Sequence, residues 1–299
     1  MGAALDVERL RLLREVGLRG SIAGAARSVG VTASAVSQQL AQLEREAGAS
    51  LLDRSPRGVV LTGAGQLLAD RAAQVLDVLA TARADLDRVA GSVAGPVRVA
   101  AVASAAATVV STAVTGLRTS APGIQVTVRA AEPERGIGML LVGDVDLAVV
   151  DEYDHVPLAL PDSALARQLA VEPLVVVRAP GTGRRRAALA DLAGSDWVMP
   201  PEDAACGRAV RAACRTAGFE PRVCWETDDM LLLVRAVADG HGVAVLPRRS
   251  VDAAAGRVDV GALRDQGLSR RLLAVARPSV AARPVVSAVL DALAAASTA

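Results

Sequence analysis

Two helical patterns separated by one glycine turn occupy residues 21–49 and constrain the fold of the N-terminal part of the chain. Ser21 can N-cap the first helix, because its hydroxyl can accept a hydrogen bond from the backbone of the first turn. Gly30 is placed to end that helix, since glycine tolerates the left-handed conformation at a helix stop. Thr32 or Ser34 can then cap a second helix that ends near residue 48. The spacing therefore predicts two helices joined by a turn of a few residues.

A further helix is predicted before this pair and a basic hairpin after it. Residues 6–17 carry apolar side chains at i, i+3, i+6 and i+9, which is typical of one helical face. In LLDRSPRGVVLT, two short apolar runs flank a turn, which predicts a hairpin with Arg54 and Arg57 near its tip. Helix, glycine turn, helix and basic hairpin is the order of a winged helix-turn-helix domain, predicted here for residues 1–62.

The outward face of the second helix of the pair is polar and mostly uncharged. In a helix-turn-helix domain this helix enters the major groove, where a glutamine such as Gln38 can pair with the N6/N7 edge of adenine. Arginines at the hairpin suit phosphate or minor-groove contacts. A merely solvated helix face is the alternative for any single residue, but the combined pattern favours DNA binding. The predicted DNA-contacting residues are Thr32, Ser34, Ser37, Gln38, Arg45, Arg54 and Arg57.

A long helix is predicted from about residue 63 to residue 90, with Thr62 as its cap. Its apolar residues alternate spacings of four and three, which is a coiled-coil seam of about three heptads. The seam residues are Leu68, Ala72, Val75, Leu79, Ala82, Leu86 and Val89. Because a short N-terminal unit offers little else to bury this seam, we expect a linker helix, residues 63–94, that joins two copies of the chain. Residues 91–96 form the connection that follows.

From Val97 the pattern changes to alternating strands and helices, which predicts a parallel sheet covered by helices. The predicted strands are 97–102, 124–130, 145–150, 170–177, 197–199, 243–246 and 272–276. The predicted helices are 105–120, 135–142, 207–217 and 228–238. Residues 99–117 are uncharged, but five Ser/Thr and a single Leu favour a strand and a buried helix over a membrane span. The N-terminus lacks the order of a signal peptide, so we expect a cytoplasmic protein without membrane contacts.

Composition argues against several functional classes. The chain of 299 residues has a formal net charge of +1, so bulk charge favours neither nucleic acid nor an acidic substrate. It contains 2 His and 3 Cys, without a CxxC pair, so we expect neither a metal site nor a cofactor. A Ser-His-Asp triad is disfavoured for the same reason, and no catalytic residues are predicted. All three cysteines are expected to be buried small apolar residues.

Residues 10–65 resemble the N-terminal domain of LysR-type transcriptional regulators. The matching segment is GSIAGAARSVGVTASAVSQQLAQLEREAGASLLDRSPRGVVLTGAG, with Gly-Ser before an alanine-rich helix, a Gly-Val turn and a Leu-Thr-x-x-Gly entry into the linker helix. The chain departs from the family pattern at Ala33-Ser34, often Gln-Pro, and at Gln38, where Arg is frequent. Ala23 and Leu52 replace a common Thr and Phe. The loss of Gln at position 33 removes one base-contacting residue, so the target sequence does not transfer from relatives.

Residues 97–299 resemble the effector domain of the same family, which implies an α/β domain of two subdomains like a type 2 periplasmic binding protein. The implied boundaries are 95–299, with subdomain I at 95–166 and 270–299 and subdomain II at 167–269. A ligand in such a fold sits in the cleft at strand ends, close to helix N-termini. The candidate effector-binding residues are Ser104, Ala105, Glu132, Asp151, Pro200, Thr227 and Asp228. The alternative is that these residues serve only as helix caps or as solvated loop residues and bind no ligand.

Two features of residues 97–299 bear on whether this domain would respond to a small molecule or to oxidation. The acidic groups Glu132, Asp151 and Asp228 favour an effector that carries a cation, such as a basic or zwitterionic amino acid. CGRAVRAAC, Cys206 to Cys214, resembles the two-cysteine peroxide-sensing branch of the family. Eight residues on one helix separate those cysteines by roughly 12 Å, whereas a disulfide needs Cα atoms about 4.4–6.8 Å apart. A disulfide would therefore require the helix to unwind.

The sequence favours a transcription factor whose DNA binding or activation responds to a small-molecule effector. The implied partners are double-stranded operator DNA, the effector, further copies of the chain in a dimer or tetramer and, as a further option, RNA polymerase. The alternative is a cytosolic solute-binding module whose N-terminal helices serve only for dimerisation, which leaves the polar helix face unexplained. An enzyme is least favoured, because no nucleophile and base are paired in the sequence. The effector, the operator and the sign of regulation stay open.

Overall fold

The computed structural model describes residues 5–55, 58–89, 93–154, 156–183, 186–253, 258–264 and 268–298. It divides into two compact units, Met1–Gly91 and Ser92–Ala299, called here the N-terminal and C-terminal units. The mixed α/β architecture predicted from the sequence is confirmed, with a helix-turn-helix domain, a long helix and an α/β domain. Predicted contacts of Arg57 lie outside the described residues.

Each of the first three helices starts at a side-chain cap and ends at a glycine. The helices are α1 (Val7–Arg19), α2 (Ile22–Val29) and α3 (Ala33–Ala47). Asp6, Ser21 and Thr32 each accept a hydrogen bond from the backbone N–H three residues later. Of the two caps considered for α3, Thr32 is therefore the one used. Gly30 ends α2 at φ 73°, a left-handed conformation that side chains other than glycine rarely adopt.

The apolar faces of these helices meet in one core. Leu13, Val16, Val36, Leu40 and Leu43 are each at most 1% exposed, and they come from α1 and α3. The predicted faces are therefore correct at these positions. Ala47, placed on the same face of α3 by spacing alone, is exposed, because the helix ends there. Strands β1 (Leu52–Ser55) and β2 (Gly58–Leu61) pair antiparallel, which confirms the predicted hairpin.

Two carboxylates fasten the helices and the hairpin to one another. Glu15 on α1 accepts hydrogen bonds from Ser28 Oγ at 2.6 Å and from Arg19 Nε at 2.8 Å, so it joins α1 to α2. Glu44 on α3 accepts the backbone N–H groups of Leu51 and Leu52 at 2.8 and 3.2 Å. Glu15 thus fixes α2 on α1, and Glu44 fixes the start of the hairpin on α3, where it satisfies two backbone donors.

The long helix α4 (Gly63–Val89) begins against the backbone that precedes the hairpin. Thr62 caps it, since its Oγ1 accepts the N–H of Gly65 at 3.0 Å. The carbonyl of Leu51 accepts the N–H of Thr62 at 3.0 Å and lies directly over Gly65. A Cβ at position 65 would lie 2.0 Å from that oxygen, so the position requires glycine.

The predicted seam of α4 has two different environments. Leu68 is partly buried and Ala72 is fully buried in the N-terminal core, so the expectation that the seam has little to bury against is wrong for its first turns. Further along the helix Val75, Leu79 and Leu86 are 41, 48 and 64% exposed. The apolar side of the helix therefore changes from a packed surface to an open one along its length.

The C-terminal unit is built from nine strands and the helices between them in the described residues. The strands are β3 (Gly95–Ala101), β4 (Ile124–Ala130), β5 (Leu147–Tyr153), β6 (Leu165–Arg178), β7 (Asp196–Met199), β8 (Arg222–Glu226), β9 (Ala244–Pro247), β10 (Asp259–Ala262) and β11 (Ser269–Ala276). The helices are α5 (Ala103–Ala105), a π-helical segment (Ala106–Val110), α6 (Ser111–Ser120), α7 (Pro133–Val142), α8 (Ala205–Thr216), α9 (Met230–Ala238), α10 (Arg248–Ala253), α11 (Pro278–Ala281) and α12 (Pro284–Thr298). A 3-10 turn spans Leu189–Leu192.

The sheet is mixed, so the prediction of a parallel sheet is wrong in part. Strand β3 pairs parallel with β4 and β5, as the βα alternation indicates. Strand β11 pairs antiparallel with β5 and β6, and β6 pairs antiparallel with β9 and β10. The chain returns along β11 in the direction opposite to that of β5 and β6, so both of these pairs are antiparallel. Strands β8 and β10 and helix α12 were not among the predicted elements.

Strand β6 is long enough to take part in two neighbouring groups of strands. Its first part, up to Pro173, pairs with β11, while Leu174 to Arg178 lie between β9 and β10. The chain therefore leaves the first group of strands along β6 and returns along β11. Separate buried clusters surround the two groups, one around Val97 and Val286 and another around Trp197. Strand β6 thus contributes to both cores, with Leu169 in the first and Leu174 and Val176 in the second.

The uncharged run at residues 99–117 forms the end of β3 and the following helical segments, as predicted. Its apolar side chains contribute to a core, with Val99, Val109 and Val110 at most 1% exposed. In the part of the chain that the structure describes, no helix has the length and apolar character that crossing a bilayer requires.

Replacing Gly65 by alanine should destabilise the N-terminal unit by about 1–3 kcal/mol, because the added methyl group overlaps the Leu51 carbonyl. Thermal and urea unfolding followed by circular dichroism measure this loss. The matched control is Gly63→Ala in the same first turn, where an added Cβ meets nothing within 4 Å. Equal stability of the two variants would show that the contact at Gly65 does not constrain this junction.

Candidate functional site

The outward face of α3 presents the polar groups predicted to meet DNA. Ser34 and Gln38 are exposed and Ser37 is half-buried, on the side of the helix opposite its apolar core face. The hydroxyl of Thr32 is occupied as the helix cap, since it accepts the N–H of Ala35 at 3.2 Å. Thr32 therefore presents mainly its methyl group and backbone, while the other three keep free polar groups toward solvent.

Two of the predicted cationic contact residues, Arg45 and Arg54, lie on described elements of the N-terminal unit. Arg45 is exposed in the last turn of α3, where its Nη2 donates to Gln42 Oε1 at 2.6 Å. Arg54 lies on β1 opposite Val59, so the backbone places it in the hairpin that forms the wing. The predicted contact of Arg57 at the wing tip falls outside the described residues.

A buried guanidinium forms the floor of a cleft in the C-terminal unit. Arg270, on β11, is 1% exposed. Its Nε donates to Glu172 Oε1 at 2.8 Å and its Nη1 donates to Ser104 Oγ at 2.6 Å. Asp151 Oδ2 lies 3.4 Å from the same Nη1. The guanidinium thus joins β5, β6, β11 and the helix after β3, and two carboxylates lie against its positive charge.

The two carboxylates have further partners. The second oxygen of Glu172 accepts the backbone N–H of Arg249 in α10 at 2.8 Å, which ties the network to the far side of the cleft. Asp151 accepts the hydroxyl hydrogen of Tyr153 at 3.0 Å. Burial raises the pKa of Asp151, while the neighbouring Arg270 partly offsets this shift. The pKa of Tyr153 lies well above its ordinary value because the phenol is buried beside that carboxylate.

Two connected cavities lie above this floor. The inner cavity has a volume of about 60 Å³ and reaches Arg270, Tyr153 and Cys206. The outer cavity has a volume of about 610 Å³ and opens between α7 and α9. The residues that line both cavities are Ala103, Ser104, Glu132, Asp228, Met230 and Ser250. The arrangement can hold a small molecule whose one end enters the inner cavity.

Five of the seven candidate effector-binding residues line these cavities: Ser104, Glu132, Asp151, Pro200 and Asp228. Ala105 does not, because its side chain is fully buried in a core and its neighbour Ala103 faces the cleft instead. Thr227 is also absent from both linings, and its Oγ1 accepts the N–H of Asp229 at 3.1 Å. The cap of α9 is Asp229 itself, which corrects the predicted start of that helix.

Sequence reasoning missed the residues that close the floor of the cleft: Tyr153, Cys206, Met230, Pro247, Ser250 and Arg270. Arg270 carried a signal, since a charged residue with its side chain in an apolar strand needs a buried partner. The sequence does not indicate which residue is that partner, because Glu172 lies 98 positions away in the chain.

The carboxyl of Glu132 lies at the mouth of the cleft, where it is partly desolvated although the residue as a whole is exposed. Desolvation raises its pKa above the ordinary value, and the negative charges of Asp151 and Asp228 raise it further. The cleft therefore concentrates negative charge in a region where water screens it less than at the surface.

The cysteines do not form a redox pair in this structure. Cys206 and Cys214 lie on the same helix, α8, and burial raises the pKa of each thiol to about 12. Thiols with such pKa values are poor nucleophiles, which disfavours peroxide sensing. Cys224 is exposed, so the prediction that all three cysteines are buried is wrong. No group of metal-ligating side chains is found among the described residues.

Comparison with known proteins places this geometry in a family. Residues 7–66 match the profile of "Bacterial regulatory helix-turn-helix protein, lysR family", and residues 90–298 match "LysR substrate binding domain". The chain belongs to the LysR family of regulators. It is therefore a DNA-binding transcriptional regulator with an effector-binding domain, and family membership disfavours a solute-binding module that uses its helices only to dimerise.

Individual LysR-family relatives match over nearly the whole chain. The small neutral protease regulatory protein of Streptomyces coelicolor is 30% identical over 280 residues, which cover 91% of this chain and 86% of the relative. The transcriptional regulator CbbR of Rhodospirillum rubrum is 26% identical over 301 residues, covering 99% and 98%. A full-length variant of OxyR from Pseudomonas aeruginosa shares the fold, with a TM-score of 0.75 at 22% identity over 97% of this chain and 95% of that one.

Because the pKa of Glu132 is raised in the folded protein, the stability of the C-terminal unit should fall as pH rises through that pKa. Glu132→Gln removes this loss. We expect the variant and the parent to unfold at equal temperatures near about pH 4 and the variant to unfold at the higher temperature near neutral pH. Differential scanning calorimetry across this range measures the difference, and Glu132→Asp, which keeps the charge, should follow the parent. A difference independent of pH would contradict the assignment.

Proposed function

We propose that a small-molecule effector bound in the cleft controls the DNA binding or the activating function of this LysR-family regulator. The observation that carries the proposal is the Arg270 network at the cleft floor. Arg270 and Asp151 of this network belong to the first group of strands, while Pro247 at the end of β9 and Ser250 in α10, which line the same cavity, belong to the second, so a ligand at the floor contacts both groups. Such a ligand favours the closed arrangement of the cleft, because only closure brings all its contacts together.

The polar face of α3 is proposed to enter the major groove of operator DNA. Ser34, Ser37 and Gln38 supply neutral donors and acceptors for base edges, while Arg45, Arg54 and Arg57 supply charge for phosphates. Thr32 contributes by fixing the start of the helix. The net charge of the chain is only +1, so affinity must come from these few placed arginines and not from the overall field.

Two substitutions separate base contacts from phosphate contacts. Gln38→Ala should cost about 1–3 kcal/mol and relax specificity at one base pair, whereas Arg45→Ala should weaken binding to all sequences and lower the salt slope by about 1. Fluorescence anisotropy with the chain's own upstream region and a scrambled duplex, at several salt concentrations, measures both effects. Arg118→Ala, an exposed arginine of α6 in the C-terminal unit, is the control of equal charge. Parental binding by both test variants would remove these residues from the interface.

The open part of α4 is proposed to join two copies of the chain. Val75, Leu79 and Leu86 expose apolar surface at coiled-coil spacing, and such surface is usually covered in a soluble protein. A dimer places two α3 helices on one DNA duplex, as a two-fold operator requires. Higher assembly into a tetramer is compatible with the same helix.

Placing carboxylates in this seam tests the assembly. Leu79→Glu combined with Leu86→Glu should shift the protein from an oligomer toward a monomer, because burying two unpaired charges at a coiled-coil interface is unfavourable. Sedimentation equilibrium measures the mass directly. Gln74→Glu adds a charge to the same helix at an exposed polar position and should leave the mass unchanged. An oligomer that survives the double substitution would place the interface elsewhere.

A further inference from the structure

Resting on the proposed effector role of the cleft, we propose that the ligand is a small organic cation: an ammonium or guanidinium group on a short apolar body. Glu132 and Asp228 would receive the cationic group, and Ser250 would accept a hydrogen bond from it. The class of ligand follows from the charges, the unsatisfied groups and the shape of the two connected cavities.

The carboxylates at the cleft exceed the cations available to neutralise them. Glu132 and Asp228 line both cavities, and neither forms an ion pair with any side chain in the described part of the chain. Asp229 is different, since its carboxylate accepts the N–H groups of Leu231 and Leu232 as the cap of α9. Two free carboxylates therefore face the space that a ligand would occupy, and a cation between them would relieve their mutual repulsion.

The buried arginine is not available to bind an anion. Arg270 already donates to Glu172 and to Ser104, and Asp151 lies beside it, so one positive charge faces two negative charges. The inner cavity is lined by the carboxyl groups of Glu132, Asp151 and Asp228 and by one cation, Arg270. The other cation of the lining, Arg135, lies exposed on α7 in the outer cavity alone. An anionic ligand would thus meet repulsion at the inner end of the cleft.

An unsatisfied hydroxyl gives independent support for a bound polar group. Ser250, in α10, is 0% exposed, and its Oγ has no hydrogen-bond partner in the structure. It lines both cavities. A buried hydroxyl without a partner is uncommon, because the lost hydrogen bond to water is otherwise replaced inside the protein. A ligand N–H group placed between Ser250 and the two free carboxylates would supply that partner.

The shape of the space limits the rest of the ligand. The inner cavity, at about 60 Å³, has room for a head group of a few atoms. The outer cavity is about ten times larger, and much of its wall is apolar, formed by Ala107, Ala130, Ala131, Met230 and Leu231. A short hydrocarbon body fits this wall, whereas an anionic group there would have only Arg135 as a cationic partner among the residues that line the outer cavity.

Four probes that share one chain and differ in head group test the ligand class: n-hexylamine, n-hexylguanidine, n-hexanol and n-hexanoate. Isothermal titration calorimetry on the full-length protein measures their affinities. We expect the two cations to bind and the alcohol and carboxylate to bind at least about tenfold more weakly. The combined substitution Glu132→Gln and Asp228→Asn should weaken cation binding by at least the same factor.

Two variants separate ligand contacts from general effects on the fold. Ser250→Ala should weaken cation binding several-fold while leaving the melting temperature of the free protein equal or higher, because the hydroxyl has no partner there. Glu134→Gln removes an acidic group two residues from Glu132, one that pairs with Arg208 and lies outside both linings. It should leave cation affinity unchanged.

Several results would overturn the proposal: tighter binding of n-hexanol or n-hexanoate than of the cations, no binding of either cation at millimolar concentration, or full cation affinity in the doubly substituted protein. A DNA-binding titration on the same samples distinguishes failure of the cationic ligand class from failure of the proposed effector control. Cation binding at the cleft without any change in DNA binding or transcription would contradict effector control only. A regulatory response to an anion bound in the cleft would contradict the cationic class only.

Discussion

Arg270 keeps its charge inside the C-terminal unit because two buried carboxylates, Glu172 and Asp151, lie against it. Removing one partner of such a buried group costs about 3–5 kcal/mol, so each member holds the others in place. The three residues belong to three neighbouring strands, and Glu172 also binds the backbone of α10. The strands that connect the two cores are therefore joined at the same point where the cleft has its floor, and the shape of the cleft depends on this ion network.

In the described part of the N-terminal unit, close approach of the backbone and the carboxylates of Glu15 and Glu44 hold the elements together. Glycine at position 65 lets α4 start against the Leu51 carbonyl, and Glu44 binds the backbone at the start of the hairpin. These contacts position α3 and the wing relative to each other. The proposed DNA contacts do not require charge on the face of α3, since base edges are read by hydrogen bonds and phosphates by separate cationic residues.

The two units make different electrostatic demands on one chain with a net charge of +1. The proposed DNA-binding surface relies on a few arginines, whereas the cleft holds the carboxylates of Glu132 and Asp228, which form no ion pair within the described part of the chain. The net charge therefore does not predict whether the chain binds DNA or a cationic ligand, whereas the positions of the charged residues do. The proposed cation site in the cleft and the proposed DNA-binding face of α3 are compatible, because they belong to separate compact units.

Local spacing alone determined the caps at Ser21 and Thr32, the turn at Gly30, the hairpin, the long helix and most strands, since each depends on residues within a few positions. It also indicated Ser104, Glu132 and Asp228 for the cleft, because strand ends and helix starts are visible in a sequence. Only the tertiary structure decided that Ala105 packs in a core, that Leu68 and Ala72 of the seam are buried, and that β11 runs antiparallel. Arg270, Glu172 and Ser250 meet through contacts between distant parts of the chain, and no local pattern records which distant strands will become neighbours.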